Sequence, residues 1–268
     1  MGVRGLLSFC SQIKRHANTL ILYPHIGMDG YSLMYLFRED RPAFESYLKE
    51  MKRIVSDLGS VTFVIDRRAA KEKKDTLTVR RELREGAQDD VKEWKKMLAE
   101  SPEMDDKQKE IIESVIAQRE RASWHVYPEY MTWLLGVLEA NGVRVIKAEQ
   151  EADLMLARGP YDVVVSSDSD MLILGARRLW LPRGVGIQHN EITQKDFIRF
   201  IGLEADQLYE LAFLAGCDYH KSSMSVAEAV SRLKFYGSLE GIHRRHPELV
   251  SAEDVGQYKK LKETVWAS

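Results

Sequence analysis

The sequence has few of the residues that mark secreted, disulfide-bonded or membrane-spanning proteins. Its 268 residues include only two cysteines, Cys10 and Cys217, which lie far apart and outside any Cys-x-x-Cys or Cys/His cluster. This argues against a disulfide framework and against a zinc site, and it fits a reducing compartment. No apolar run approaches the length of a membrane span, and the opening MGVRGLLSF is too short for a secretory signal. We therefore expect an intracellular protein that does not bind membranes.

No sign of charge dominates the composition. Lysine and arginine total 39 residues and aspartate and glutamate total 41, which gives a formal net charge of -2. This sum carries little information about partners, because local clusters of charge matter more. A hydrophobic content of 44% is typical of an ordinary globular protein, and the length allows one large or two small domains with a sizeable core.

Acidic side chains follow four strand-like runs, at the point where each run ends. Between the runs lie helical patterns, and this alternation predicts βαβ units with a parallel sheet. The carboxyl ends of parallel strands meet at one edge of a sheet, where ligands bind. Like charges suppress one another's ionisation unless a cation lies among them, and hard divalent cations prefer oxygen ligands. The pattern therefore predicts a divalent-metal site. Its carboxylates are Asp29, Asp66, Glu149, Glu151, Asp168 and Asp170.

Three further acidic features are less specific. A short polar turn such as 166–170 is, taken alone, more typical of a solvated loop. Asp153 is interpreted as a favourable charge at a helix N-terminus. Asp218, in the sequence GCDY, is a seventh candidate ligand that rests on a weak Gly-x-Asp pattern.

A basic segment begins directly after Asp66. Residues 67–84 contain eight bases and three acids. Lys73 and Arg80 are seven residues apart, which on a helix places them on one face about 10 Å apart. Such a ladder fits a phosphodiester backbone, whereas charge runs in general more often form a solvated helical face. The eight bases are Arg67, Arg68, Lys71, Lys73, Lys74, Arg80, Arg81 and Arg84.

The remaining pattern is mostly helical. Apolar spacing predicts a helix over Ala43–Leu58, and residues 86–126 read as two helices separated near Ser101. Residues 177–189 read as an edge hairpin, followed by a helical C-terminal region. Four side chains receive a structural interpretation, with a nucleic-acid contact as the alternative. These are Trp94 and Trp124, interpreted as packing residues, and Arg244 and Arg245, interpreted as a solvated face.

Taken together, these segments resemble the flap endonuclease/XPG family of structure-specific nucleases across nearly the whole chain. The opening MGVRGL is similar to that family's start, and MDGYS, VIDRR, AEQEAD, SSDSDMLILG and AGCDY are similar to its acidic motifs. VTFVIDRR and GCDY most resemble the poxvirus and large-DNA-virus branch. The stretch HKSSMSV, at 220–226, lacks the Gly-x-Gly hairpin that members of the family often use to bind duplex backbone and potassium.

The resemblance implies an α/β, PIN-like nuclease fold with a central, mostly parallel sheet flanked by helices. It implies a nuclease domain over 1–202, in which 67–126 form a basic gateway helix and a helical arch. Residues 203–268 would form a C-terminal DNA-binding region like a divergent helix–two-turn–helix.

The resemblance also implies roles for single residues. Lys73 and Arg80 match a basic pair that contacts the scissile phosphate, and they are expected to act in catalysis with Asp168 and Asp170. The expected metal ligands are Asp29, Asp66, Glu149, Glu151, Asp168, Asp170 and Asp218. The expected DNA-binding residues are Gly2, Arg67, Arg68, Lys71, Lys74, Arg81 and Arg84.

The implied activity is that of a 5′ flap endonuclease or 5′–3′ exonuclease in DNA replication, recombination or repair. Two Mg²⁺ ions about 4 Å from each other, replaceable by Mn²⁺, would bridge the scissile phosphate. The expected substrate is DNA with single-strand/double-strand junctions or ends. We expect a monomer that binds replication or recombination proteins. We expect it in the nucleus, or in the virus factory of the host cytoplasm if the protein is viral.

Three alternatives stay open at this point. A PIN-type ribonuclease has a similar sheet and acid cluster but usually lacks the long arch and the helical tail. A haloacid-dehalogenase-type phosphatase places its paired aspartates after the first strand, where this chain has Asp29-Gly30-Tyr31. A non-catalytic scaffold of the same fold would typically have lost acids, whereas all seven positions are filled here.

Overall fold

A computed structural model describes residues 3–19, 21–66, 74–101, 103–149 and 151–266. The chain forms two compact units, one from residues 1–70 with 134–268 and the other from 71–133. The predicted boundary between residues 202 and 203 stays a prediction. In the described ranges, no helix is both long and apolar enough to cross a bilayer.

A mixed sheet organises the first unit. Among the described residues it has seven strands in the order β1-β7-β6-β5-β2-β3-β4. Strands β5, β2, β3 and β4 are neighbours and run parallel, β6 is parallel to β5, and β7 is antiparallel to both β6 and β1. The strands are β1 (Arg15–His16), β2 (Tyr23–Asp29), β3 (Val55–Asp66), β4 (Arg144–Ala148), β5 (Val163–Val165), β6 (Arg178–Pro182) and β7 (His189–Thr193).

The predicted parallel arrangement of the four acid-bearing strands is therefore confirmed. Met28 lies between Phe63 of β3 and Val165 of β5, so β2 and β5 end side by side. Asp66 lies beside Ala148 at the end of β4. The short β5 is buried at every residue, as expected for a parallel strand covered on both faces.

Helices cover the sheet and continue into the C-terminal region. Residues of α10 to α13 share one hydrophobic core with residues of β5 and β6. In chain order the helices are α1 (Leu6–Phe9), α2 (Gly30–Leu36), α3 (Arg41–Arg53), α4 (Lys74–Glu100), α5 (Asp106–Ser123), α6 (Pro128–Ala140), α7 (Ala152–Arg158), α8 (Met171–Leu174), α9 (Gln194–Ile201), α10 (Gln207–Ala215), α11 (Val226–Tyr236), α12 (Leu239–Arg245) and α13 (Ala252–Leu261). A 3₁₀ turn (Cys10–Ile13) follows α1, and a π-helical turn (Lys262–Trp266) follows α13.

The helix predicted over Ala43–Leu58 ends earlier than expected. Helix α3 stops at Arg53, and Val55 already pairs with Tyr23 of β2. Leu58, expected on the apolar helix face, is 98% exposed. The register between β2 and β3 shifts after this first pair, and a Cβ on Gly59 would lie 2.2 Å from the Pro24 carbonyl oxygen. Pairing with β2 therefore overrides the helical spacing of the last residues.

The second unit is a helical pair. Helices α4 and α5 pack together and are joined by ion pairs between Lys95 and Glu120 (2.7 Å) and between Arg119 and Asp90 (3.1 Å). The two predicted helices and the break between them are confirmed. The prediction treated 67–84 and 86–126 as separate segments, but α4 runs unbroken through Gly86.

Trp124 and the hairpin after residue 177 were also interpreted from the sequence, and the structure describes both. Trp124 packs edge-on against Tyr130, with ring centroids 5.3 Å apart, which supports its interpretation as a packing residue. The hairpin predicted over 177–189 extends to Thr193, because β7 pairs with β6 along its whole length. Strand β1, rather than the hairpin, forms that edge of the sheet in the described residues.

Candidate active site

Asp29 lies where β2 ends and α2 begins, and its carboxylate is held on both oxygens. Oδ1 accepts a hydrogen bond from the Ser32 amide at 3.1 Å, and Oδ2 accepts one from the Ser166 hydroxyl at 2.6 Å. The side chain is buried, and burial together with the charge of Asp153 raises its pKa to about 7. Asp29 is therefore a carboxyl group held in a fixed position at the edge of the sheet, in surroundings that disfavour its ionised form.

The residue after Asp29 must be small. A Cβ on Gly30 would lie 2.4 Å from Ile65 Cγ2 and 2.7 Å from the Val64 carbonyl oxygen. Glycine thus lets α2 start in direct contact with β3.

The turn after β5 is tied to Asp29 through one hydroxyl. Ser166 donates to Asp29 and accepts from the Asp168 amide at 3.0 Å. Asp168 Oδ1 in turn accepts from the Asp170 amide at 2.9 Å. A second link joins the same turn to α2, because Ser32 Oγ lies 2.7 Å from both the amide nitrogen and Oγ of Ser167. The ends of β2 and β5 are therefore held as one unit.

Asp170 is the most buried of these acids, with 1% of its surface exposed. Both of its carboxylate oxygens accept from the Val3 amide, at 3.0 and 3.1 Å. Burial and the neighbouring Asp168 hold its pKa well above the usual value. The pKa of Asp168 is also raised, by burial and by the charges of Asp153 and Asp218.

The other side of the site is built around the N-terminus of α7. Asp66, at the end of β3, accepts from the Ala152 amide at 2.6 Å. Glu151 occupies the N-cap position of α7 and is 9% exposed. It interacts with Tyr219, whose pKa is raised by burial and by the charges of Glu151 and Asp218. Glu149, just beyond β4, is exposed.

Asp218 reaches this group from the C-terminal region. It lies in a tight turn after α10, closed by reciprocal backbone hydrogen bonds between Cys217 and His220 at 2.8 and 3.1 Å. Its charge acts on both Asp168 and Tyr219, which places it near the turn after β5 and near Tyr219.

Asp153 was underestimated from the sequence. Its charge raises the pKa values of Asp29, Asp168 and Asp170, so it belongs to the same electrostatic group and is more than a helix-dipole partner. The available signal was its place as the third acid of AEQEAD. Ser166 was also missed, and no sequence pattern pointed to it.

The donor chemistry of this group fits a hard divalent cation. Every candidate ligand is a carboxylate oxygen. Burial, and after it the charges of neighbouring acids, raises the pKa values of Asp29, Asp168 and Asp170, and a bound cation would favour their ionised forms. Within the described ranges, no three acidic, histidine or cysteine side chains converge closely enough to form a preformed metal-binding group. The metal roles assigned from the sequence stay predictions.

The predicted basic residues are only partly described. Gly2, Arg67, Arg68, Lys71 and Lys73 lie outside the described residues, so the Lys73–Arg80 spacing stays a prediction. Lys74 begins α4, but its side chain also lies outside that set.

Three of the predicted bases are described on α4. Arg80 and Arg81 are exposed and Arg84 is half-buried. Arg81 pairs with Glu85 at 2.7 Å, and Arg84 Nε donates to the Arg80 carbonyl oxygen at 3.3 Å. Their DNA-binding roles stay predictions.

Solved structures resemble the chain along almost its full length. The catalytic core of Rad2 in complex with DNA substrate matches 98% of this chain and 80% of that chain, with a TM-score of 0.62 and 17% identity. Flap endonuclease-1 from Methanococcus jannaschii matches 96% of this chain and 83% of that chain, with a TM-score of 0.56 and 17% identity. The chain has the flap endonuclease/XPG nuclease fold.

Sequence comparisons agree with this fold. Residues 142–218 match the XPG I-region, which spans Glu149 to Asp218. Flap endonuclease 1 of Methanothrix thermoacetophila is 22% identical over 253 residues, covering 81% of this chain and 70% of that protein. Flap endonuclease 1 of Ignicoccus hospitalis is 32% identical over 125 residues, covering 40% of this chain and 36% of that protein. These matches support the flap endonuclease/XPG family; the viral branch stays a prediction.

Proposed function

We propose that the protein is a divalent-metal-dependent, structure-specific DNA nuclease that hydrolyses phosphodiester bonds near junctions or ends of DNA strands. The observation that carries the proposal is that acids follow four adjacent parallel strands, which end at the same edge of the sheet. The XPG I-region match and the flap endonuclease relatives support the same reaction class.

The chain's own residues would position the oxygens that this chemistry needs. Ser166 and the Ser32 amide fix Asp29, and the Ala152 amide fixes Asp66. We assign the first ion to Asp29, Asp66, Glu149 and Glu151, and the second to Asp168, Asp170 and Asp218. When bound, Mg²⁺ or Mn²⁺ would activate water and stabilise the leaving oxygen. Asp153 adds a further negative charge to this set.

The basic residues would act on the phosphate. Lys73 and Arg80 would offset negative charge on the transferring phosphate group, as preorganised cations do at phosphoryl centres. The helical pair α4 and α5 would be the arch, and Arg81 and Arg84 would add backbone contacts. The monomeric state, the intracellular location and the pathway in replication, recombination or repair stay predictions.

Cleavage of a panel of labelled DNAs tests the proposal. The panel contains 5′-flap, nicked, splayed-end and junction DNAs, with Mg²⁺ or EDTA. We expect cleavage only with Mg²⁺, and we expect Asp168→Asn to lower turnover at least a hundredfold while the protein stays folded and binds DNA. Asp57→Asn, which changes an exposed acid at the opposite end of β3, is the matched control.

Three outcomes would contradict the proposal. Unchanged turnover in Asp168→Asn would remove the acids from catalysis. Cleavage of single-stranded RNA in preference to every DNA would favour the PIN-type ribonuclease. Binding without cleavage of any substrate would favour the non-catalytic scaffold.

A further inference from the structure

A pocket of about 850 Å³ opens where the end of α11 meets α12. No residue assigned to the acidic site lines it. The lining residues are Phe235, Tyr236, Gly241, Arg244, Arg245 and His246. The pocket therefore combines aromatic rings with cations and contains no acid in its lining.

The walls of the pocket are held in place by specific contacts. The Tyr236 hydroxyl lies 2.6 Å from His246 Nε2, and His246 Nδ1 lies 2.9 Å from Glu248 Oε1. A Cβ on Gly241 would lie 2.1 Å from the Tyr236 carbonyl oxygen. Glycine thus lets α12 approach the end of α11, and the hydrogen-bonded Tyr236–His246 pair fixes that approach.

Phe235 is the unusual residue of this pocket. It lies in the last turn of α11, is 80% exposed, and meets the Tyr236 ring edge-on with centroids 4.7 Å apart. A solvated helix end accounts for basic residues, because cations favour a helix C-terminus. The same reason does not explain why the apolar ring of Phe235 is exposed beside these basic residues.

The acids near the pocket already have side-chain partners. Ion pairs join Glu228 to Arg232 (2.7 Å) and Glu240 to Lys259 (2.7 Å), and Glu248 Oε1 lies 2.9 Å from His246 Nδ1. Arg244 and Arg245 are exposed. The charge of Arg244 acts on Glu240, but no salt bridge joins either arginine to an acid within the described part of the chain. Both guanidinium groups are therefore available to an anion from outside.

We propose that this pocket binds one nucleotide unit of a single-stranded nucleic-acid segment. The base would stack on Phe235, and the flanking phosphates would contact Arg244 and Arg245. Base–aromatic stacking beside a basic groove is how proteins hold single strands without reading their sequence, and arginine binds phosphate through paired N–H donors. The inference rests on the proposed function only for the choice of DNA as the strand.

Binding of a fluorescent oligothymidylate, followed by anisotropy in EDTA at several salt concentrations, tests the proposal. We expect Phe235→Ala to weaken binding about fivefold or more, as loss of one stacked base does, and Phe235→Trp to bind within twofold of wild type. Arg244→Gln with Arg245→Gln should make the negative slope of log binding constant against log salt concentration shallower by about 1.4. This is the value for two phosphate contacts to a single strand. Lys52→Gln with Arg53→Gln, an exposed basic pair at the end of α3 in which Arg53 pairs with Glu50, removes the same charge elsewhere and is the control.

A direct readout comes from photocrosslinking to an oligonucleotide that carries 5-iododeoxyuridine. We expect adducts on the peptide containing Phe235 and Tyr236. Absence of these adducts, together with wild-type binding by Phe235→Ala and by the arginine pair variant, would overturn the inference. So would an equal loss of binding in the Lys52/Arg53 control. Thermal melts of all variants confirm folding, and the exposed positions predict unchanged transitions.

The two proposals fail separately. If the protein cleaves none of the DNA panel but crosslinks at Phe235, the pocket is supported and the nuclease proposal falls. If it cleaves flap DNA but neither crosslinks there nor responds to the variants, the pocket inference falls alone.

Discussion

The metal-free protein should become less stable as the pH rises from about 4 to 8, and Asp29 should carry a large part of this loss. Its folded-state pKa is raised to about 7 by burial and by Asp153, while an aspartate in the unfolded chain titrates near 3.9. The native state therefore keeps a proton that the unfolded state has lost. The stabilising effect is complete below about pH 4 and disappears as the pH passes through 7.

The pKa difference sets the size of this effect. Three pKa units correspond to about 4 kcal/mol of unfolding free energy, as an upper limit for one group. Asp168 and Asp170 also have raised pKa values and add a change of the same sign. His189 acts oppositely below pH 6.5, because its pKa is lowered to about 4 by burial. Comparison with Asp29→Asn cancels the His189 contribution, since both proteins contain that residue.

Urea unfolding in EDTA between pH 5 and 8 measures the effect. We expect Asp29→Asn to lose less stability than wild type over this range, and Mg²⁺ to stabilise wild type more at pH 8 than at pH 5. Asp57→Asn, at the exposed start of β3, should follow wild type. Equal pH dependence in wild type and Asp29→Asn would refute the claim that burial and the charge of Asp153 keep Asp29 protonated.

Three further changes test the construction of the site. Ser166→Ala should lower the free energy of unfolding by about 2–4 kcal/mol in urea, because it removes the hydroxyl that joins Asp29 to the Asp168 amide. A decrease of less than about 1 kcal/mol would contradict that bridge. Gly30→Ala should lower the unfolding free energy by about 1–3 kcal/mol through overpacking. Gly136→Ala, which has open space at its Cβ, should leave the unfolding free energy unchanged or raise it. The reverse order would be inconsistent with the packing of α2 on β3. Arg80→Gln should lower flap cleavage at least tenfold with an unchanged melting temperature, and normal turnover would remove Arg80 from catalysis.

The sheet edge could be predicted because the relevant signals are local. Each strand is a short apolar run, each acid follows its strand directly, and parallel pairing then brings the ends together without further information. The start of α7 was predictable for the same reason, since Glu149 and Glu151 alternate like extended chain before Asp153 enters the helix.

What the sequence left undetermined depends on contacts between distant segments. Val55 joins β3 only because β2 lies beside it, so the apolar spacing of 43–58 was misleading. The contribution of Asp153 depends on its approach to Asp29 and Asp168 from another strand end. Val3 binding to Asp170 joins residues 167 positions apart, which no local pattern encodes.

The C-terminal pocket shows the same limit. Arg244 and Arg245 look like an ordinary solvated face until Gly241 lets α12 approach Tyr236 beside the exposed Phe235. Its lining residues come from the end of α11, from α12 and from His246 after it, so no local pattern predicts the pocket itself.

Titration of Mn²⁺ by electron paramagnetic resonance at pH 7.5 tests most directly whether these acids form one cation site. Wild type and Asp57→Asn should bind up to two ions per chain with the same affinity. Asp29→Asn and Asp168→Asn, which alter acids from two different strand ends, should each lose an ion or bind at least tenfold more weakly. Wild-type stoichiometry and affinity in both variants would contradict a shared metal site at this edge of the sheet.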